Sequence, residues 1–190
     1  MQKDAETVQK ARSNCEDICL IAKFLDGSEA AFEELFCKYQ CRLFSVCRHF
    51  LGSHTEAEDA VQDAFLVMYG ALKRFKGESS FHTWAYAITV RTCFLRIRRI
   101  NRRNEITNDR MDSISAEGNQ NIERIVIQQA ISKLPDQHRI VLILKYYQQL
   151  SIEEIAQALE CSSDQMKMRL HRARNAMKDL LTQPTGGEEL

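Results

Sequence analysis

Ser151 to Arg174, SIEEIAQALECSSDQMKMRLHRAR, admits few folds. Ser151 with Glu154 is an S-x-x-E capping box, so a helix should start at Ile152. Ile152, Ile155 and Leu159 recur at i, i+3 and i+7, which makes one apolar face. The periodicity breaks at Glu160-Cys161-Ser162. Ser162 with Gln165 offers a second capping box, and a second helix then runs through Met166, Leu170, Ala173 and Met177. Small Ala156 lets the second helix cross the first closely, as a helix-turn-helix needs. The second helix carries Lys167, Arg169, Arg172, Arg174 and Lys178, with His171 among them and no acid between Asp164 and Asp179. A positive helix behind a short capped one is the form that enters a major groove. A helical hairpin with a solvated basic face is the competing reading of this stretch.

The rest of the chain is built in the same way. Only seven glycines and two prolines interrupt 190 residues, and apolar residues repeat at three and four. The expected fold class is all-α, in one or two domains. Net charge is zero, so no overall field draws the chain to nucleic acid. Charge is segregated instead. Residues 1–34 hold eight acids against four bases, and Arg91 to Arg103 holds six arginines and no acid. The first twenty residues are too polar for a signal peptide, and no apolar run approaches a membrane span. A soluble cytoplasmic protein is therefore expected, without membrane insertion. Its seven cysteines, an odd number, should be reduced.

In chain order, residues 1–15 should be a flexible N-terminus. Glu16 to Leu25 reads as a helix with Ile18, Ile21, Ala22 and Leu25 inward. Glu29 to Phe50 is a long amphipathic helix with Phe32, Leu35, Phe36, Tyr39, Leu43, Val46, Cys47 and Phe50 on one stripe. Thr55 with Glu58 is a third capping box, opening a helix to about Lys73. That helix has Ala57, Ala60, Val61, Ala64, Phe65, Val67, Met68 and Leu72 on its apolar side. A loop then leads to a helix from Phe81 to about Arg103. Periodicity vanishes over 104–120, which reads as a flexible linker and a domain boundary. Residues 121–181 form the second helical domain, and 182–190 a disordered tail.

Two separated blocks of this sequence resemble one family. The first is AAFEELFCKY, TEAEDAVQDAF and RFKGESSFHTWAYAI, between Ala30 and Arg98. The second is Leu134 to Arg174. The chain resembles bacterial sigma factors of the sigma-70 family, in the extracytoplasmic-function group, which hold only regions 2 and 4. The resemblance implies a region 2 helical bundle over 16–103 and a region 4 helix-turn-helix over 121–181. It implies a non-catalytic factor that binds core RNA polymerase, recognises promoter DNA and helps melt the start region. It also implies an anti-sigma factor as partner.

The same resemblance assigns residues. Core polymerase should meet the acidic ridge of Glu58, Asp59, Gln62 and Asp63, with Phe65 in the core beneath. Acids in a first helical turn are also favoured by the helix dipole alone. The minus-ten element should meet Lys76, Glu78, Ser79, Ser80 and Phe81, whose ring could stack an unpaired base. Arg91, Arg96, Arg98 and Arg99 should track the backbone, and Trp84 should be core. The minus-thirty-five element should meet Ser163, Gln165, Lys167, Met168, Arg169 and Arg172 on the second helix of the motif. Met166 and Leu170 should be core.

The sequence makes three departures from the family pattern. Glu160 stands where glycine is usual, and a positive φ there would cost roughly 1 kcal/mol. Asp164-Gln165 replaces Gly-Thr, which puts an acid near phosphate. Arg91 replaces an asparagine seven residues after the tryptophan. The i, i+4 pairs Cys15/Cys19 and Cys37/Cys41 are read as small core residues used twice rather than as metal or thiol sensors. No metal or other cofactor is expected. No nucleophile–base pair or phosphate loop argues for an enzyme. An ordinary DNA-binding regulator would need the helix-turn-helix but not the first block.

Overall fold

The computed structural model describes the backbone of residues 2–107 and 122–182, and the side chains of 12–103 and 126–182. It is all-α, with no strand among the described residues. The helices are α1 (Gln2–Leu25), α2 (Glu29–Leu51), α3 (His54–Ala71), α4 (Phe81–Thr107), α5 (Ile122–Lys133), α6 (Asp136–Leu142), α7 (Ile152–Ala158) and α8 (Ser163–Thr182). A single 3-10 turn, Leu72–Arg74, follows α3, and a π-helical turn, Ile143–Tyr147, follows α6. No described helix is long and apolar enough to cross a membrane.

Helices α1 to α4 form the first bundle. The α2 stripe is as expected: Leu35, Tyr39, Leu43, Val46, Cys47 and Phe50 are buried. Gly52 ends α2 in the left-handed region, its N–H donating to the Arg48 carbonyl at 3.0 Å. Three expectations need correction. Helix α1 begins at Gln2, so the backbone of the N-terminal segment is helical. Its buried face is Asp17, Ile21 and Phe24, while Ile18, Ala22 and Leu25 are exposed. The reason is Asp17: its carboxylate accepts from the Tyr39 hydroxyl at 2.5 Å and from Lys38 at 2.6 Å, which turns that side of α1 inward. The third correction is at α3. Its cap is Ser53 rather than Thr55, with Ser53 Oγ accepting from the Glu56 N–H at 3.4 Å, and Val67 points outward.

Helices α5 to α8 form the second bundle around Leu134, Ile140, Val141, Ile143, Leu144, Leu150, Ile155, Met166 and Leu170. The two bundles share one continuous core, in which α4 packs against α7 and α2 against the π turn. Helix α4 takes in the first four residues of the expected linker and ends at Thr107. Residues 108–121 and the tail 183–190 lie outside the described residues.

Candidate nucleic-acid and polymerase interfaces

On α3, Glu56, Asp59 and Asp63 recur at i, i+3 and i+7 and so share one face. That face is turned to α4. Arg96 on α4 donates from Nε to Glu56 at 2.6 Å, from Nη1 to Asp63 at 2.9 Å, and from Nη2 to Asp59. Arg103 adds a bond to Glu56 at 3.0 Å. Burial alone would lift the Glu56 carboxyl, but hydrogen bonds and charge from Arg96 and Arg103 outweigh it and hold the group below its ordinary value. Burial likewise works against the Arg96 charge, and the three carboxylates raise its pKa in spite of it. Arg96, expected to follow the DNA backbone, is committed to the acidic ridge and is only 17% exposed. Glu58 and Gln62, at i and i+4, face solvent on the other side of the ridge, Glu58 near His54 at 3.3 Å. Phe65 is buried beneath. The sequence reading missed Glu56 as a member of this network. Its spacing from Asp59 and Asp63 was the signal.

The minus-ten candidates divide. Lys76 and Glu78 are exposed, 4.0 Å apart. Ser80 caps α4: its Oγ accepts from the Thr83 N–H at 3.1 Å and lies 2.9 Å from the Thr83 hydroxyl. Ser79 donates to the Ser80 carbonyl at 3.2 Å. Phe81, expected to offer a stacking face, is 1% exposed. Its ring is packed among Tyr39, Phe75 and Trp84 at centroid distances of 5.2, 6.3 and 5.6 Å. The physical reason is position: the first residue of a capped helix points back over the turn into the bundle. Trp84 is half-buried on Phe75. Arg98 and Arg99 are exposed along α4. Arg91 pairs with Glu160.

The minus-thirty-five candidates lie on α8. Both predicted capping boxes of the motif are present. Ser151 Oγ accepts from Glu154 N–H at 3.1 Å, and Glu154 accepts from Ser151 N–H at 2.7 Å. Ser162 and Gln165 exchange the equivalent bonds at 3.2 Å each. Met166, Leu170 and Ala173 are buried, which turns the opposite face of α8 outward. Gln165, Lys167, Met168 and Arg172 are exposed on it, Met168 at 57%, with Ser163 and Arg169 half-exposed. Asp164 accepts from Lys167 at 2.9 Å, and that hydrogen bond raises the lysine's pKa. The acid is thus locally neutralised. Glu160 has φ 52°, the left-handed turn that glycine usually supplies.

Two further surfaces were not foreseen. An apolar groove of about 410 Å³ is lined by Ile127, Ile131, Leu142, Tyr146, Met177 and Leu181, together with Arg174 and Lys178. Arg174 donates to the Tyr146 hydroxyl at 2.7 Å. The four cysteines read as core residues, Cys15, Cys19, Cys37 and Cys41, are all exposed. On α1 and α2 they stand about half a helical turn from buried Asp17 and Tyr39. Among the described residues, no three His, Cys, Asp or Glu side chains are grouped to hold a metal ion.

Comparison with known proteins places this geometry in a lineage. Residues 35–103 match the model of sigma-70 region 2, and residues 124–177 match that of sigma-70 region 4. The RNA polymerase sigma-H factor of Pseudomonas aeruginosa is 30% identical over 183 residues, 87% of this chain and 94% of that protein. The ECF RNA polymerase sigma factor SigW of Bacillus subtilis is 31% identical over 172 residues, 82% of this chain and 91% of its own. Among solved structures, CnrH in complex with the cytosolic domain of CnrY has a TM-score of 0.69 at 24% identity, covering 90% of this chain and 99% of that one. The sigma factor RpoE, in complex with the anti-sigma factor NepR from Bartonella quintana, has a TM-score of 0.67 at 22% identity, covering 80% and 98%. The two structures share the fold. With both regions matched in order and relatives at 30% identity over nearly their whole length, the chain belongs to the sigma-70 family, as an extracytoplasmic-function sigma factor that directs RNA polymerase to promoters.

Proposed function

We propose that residues 16–103 act as region 2 and residues 121–181 as region 4 of this factor, joined through 104–120. Residues 1–15 and 182–190 are flanking segments. The exposed side of the α3 ridge, with Glu58 and Gln62 foremost, meets a basic surface of core polymerase. Lys76, Glu78, Arg91, Arg98 and Arg99 work at the minus-ten element. Gln165, Lys167, Met168, Arg169 and Arg172 enter the major groove at the minus-thirty-five element. The observation that carries this reading is α8: a capped helix with Met166, Leu170 and Ala173 inward and four cationic or amide side chains outward. Arginine and lysine meet guanine edges or phosphate, and glutamine meets adenine. The chain itself is non-catalytic and works in the cytoplasm. An anti-sigma factor is its regulator, a reading supported by the fold it shares with RpoE, which is solved in complex with the anti-sigma factor NepR.

Run-off transcription with core polymerase on a promoter pool tests this reading. Specific start sites should appear only when the protein is added. Unchanged transcription, alongside salt-sensitive DNA binding by the protein alone, would point to an ordinary regulator.

A further inference from the structure

The cysteines of this chain divide by burial. Cys47 on α2 and Cys93 on α4 lie in the core, with Cys93 donating to Cys47 at 3.5 Å. That is the ordinary place of a free cysteine, which packs as a small apolar residue. Cys15 and Cys19 on α1, and Cys37 and Cys41 on α2, are exposed instead. They fill no core, so packing does not account for them.

Each exposed pair brackets a buried anchor. Cys15 and Cys19 flank Asp17, Cys37 and Cys41 flank Tyr39, and the Tyr39 hydroxyl donates to Asp17 at 2.5 Å. Two residues along a helix turn the side chain by about 200°. With Asp17 and Tyr39 inward, all four thiols therefore stand on the outer poles of their helices. The Asp17–Tyr39 bond and the contact of Phe24 with Phe32 make α1 and α2 antiparallel and set the two pairs at one level.

Within a pair the cysteines are four apart, on one helix face, with Cβ atoms about 5–6 Å from each other. A disulfide needs Cβ atoms about 3.5–4.5 Å apart, so an intact helix keeps either pair from closing on itself. A metal ion reaches further. Bonds to sulfur of about 2.3 Å, the value for zinc, let one ion join sulfurs about 4.6 Å apart. Rotation about the Cα–Cβ bonds brings two such side chains to that distance. Among the described residues, no third Cys, His, Asp or Glu completes a metal-holding group at either pair. The four-ligand site that structural zinc takes is not offered. Two thiolates suffice for a soft cation that accepts linear two-coordination, and thiolate is the ligand that selects Cu(I).

We propose that Cys15/Cys19 and Cys37/Cys41 are two separate dithiolate sites, each taking one soft monovalent cation of the Cu(I) class. Uptake forms two sulfur–metal bonds and releases two thiol protons per ion, with no change of oxidation state. The bound ion spans one turn of its helix and braces it. This reading is independent of the polymerase and promoter assignments.

The test titrates the reduced, full-length chain with Cu(I) under nitrogen, against the coloured chelator bathocuproine disulfonate. The parent should take two ions per chain, at unchanged helix content and unchanged size in gel filtration. Binding to the folded chain should also raise its melting temperature. Cys15→Ser should remove one ion as completely as Cys15→Ser with Cys19→Ser, because one thiol does not chelate. Cys37→Ser should remove the other, and Cys15→Ser with Cys37→Ser both. Cys161→Ser, which removes a single half-exposed thiol, should leave two ions bound. These positions are exposed, so the metal-free variants should melt with the parent. A parent that yields all its copper to the chelator overturns the proposal. So does copper retained when all four cysteines are serine, which would make it an adventitious ion only. A copper-dependent dimer with one ion for every two pairs would overturn the single-chain site in favour of a bridge between copies.

Discussion

Arg96 on α4 donates to Asp63 on α3 at 2.9 Å, and the same guanidinium holds Glu56 at 2.6 Å. An arginine from a basic run is thereby built into an acidic ridge. Arg96→Ala would leave Glu56 and its neighbours without their main counter-charge. Hydrogen bonds to charged groups contribute about 1.5–3 kcal/mol each, and loss of this one side chain should cost about 2 kcal/mol in all. For a chain of this size the melting temperature should drop by about 4–8 °C. Arg96→Lys should recover only part, because one ammonium cannot hold three carboxylates in a planar fork. An unchanged melting curve for Arg96→Ala would remove the clamp from the account.

The clamp has a pH signature. Glu56 sits below its ordinary value of 4.5 in the folded chain, so the unfolded state takes up its proton first as pH falls. Its contribution is complete above about pH 4.5 and is lost as pH drops through the lowered value. Thermal melts of the parent and Glu56→Gln at neutral pH should differ clearly. The gap should close between pH 4.5 and the acid limit. A gap that stays constant with pH would show that the Glu56 charge does not stabilise the fold.

What the sequence disclosed, and what it hid, follows from the range of the interactions. The helix-turn-helix was legible because Ser151/Glu154 and Ser162/Gln165 are local signals, three residues apart, and both formed. The α2 stripe was legible by period alone. The buried face of α1 was not: it depends on Asp17 meeting Lys38 and Tyr39, more than twenty residues away. The fate of Phe81 and Arg96 was hidden for the same reason. An aromatic at a helix start and an arginine in a basic run look available for DNA until Tyr39 and Asp63 are seen beside them. Arg91 and Glu160, 69 residues apart, were each visible as a departure but not as a pair.

Arg169→Ala separates promoter recognition from polymerase binding. Arg169 lies on the outward side of α8, above the buried Leu170. If it meets a guanine edge, its loss should cost about 1–3 kcal/mol at one promoter position and relax specificity there. If it meets phosphate, affinity should fall across all sequences and the salt slope should shrink by about 1. Affinity for core polymerase should be unchanged in either case. Electrophoretic mobility of holoenzyme on single-base promoter variants distinguishes them. Equal loss of polymerase and promoter binding would contradict the placement of Arg169 at the DNA.

The two sides of the α3 ridge should respond differently to mutation. Asp59 is held by Arg96, so Asp59→Ala removes both a structural contact and any partner contact. Glu58 and Gln62 face solvent, and the contact of Glu58 with His54 is an exposed one worth little by itself. Glu58→Ala with Gln62→Ala should therefore leave the melting temperature within about 2 °C of the parent, since exposed substitutions change stability by about 0.5 kcal/mol or less. Its affinity for core polymerase should fall about tenfold, which corresponds to about 1.4 kcal/mol. Asp59→Ala should lower both quantities. The comparison matters because a loss of polymerase binding in Asp59→Ala alone is ambiguous: a loosened ridge and a lost contact look alike in a pull-down. Only the double variant carries no structural penalty. Unaltered polymerase affinity at unaltered stability would mean that the outward side of α3 is a solvated face, and that its acids serve the helix dipole and Arg96 alone.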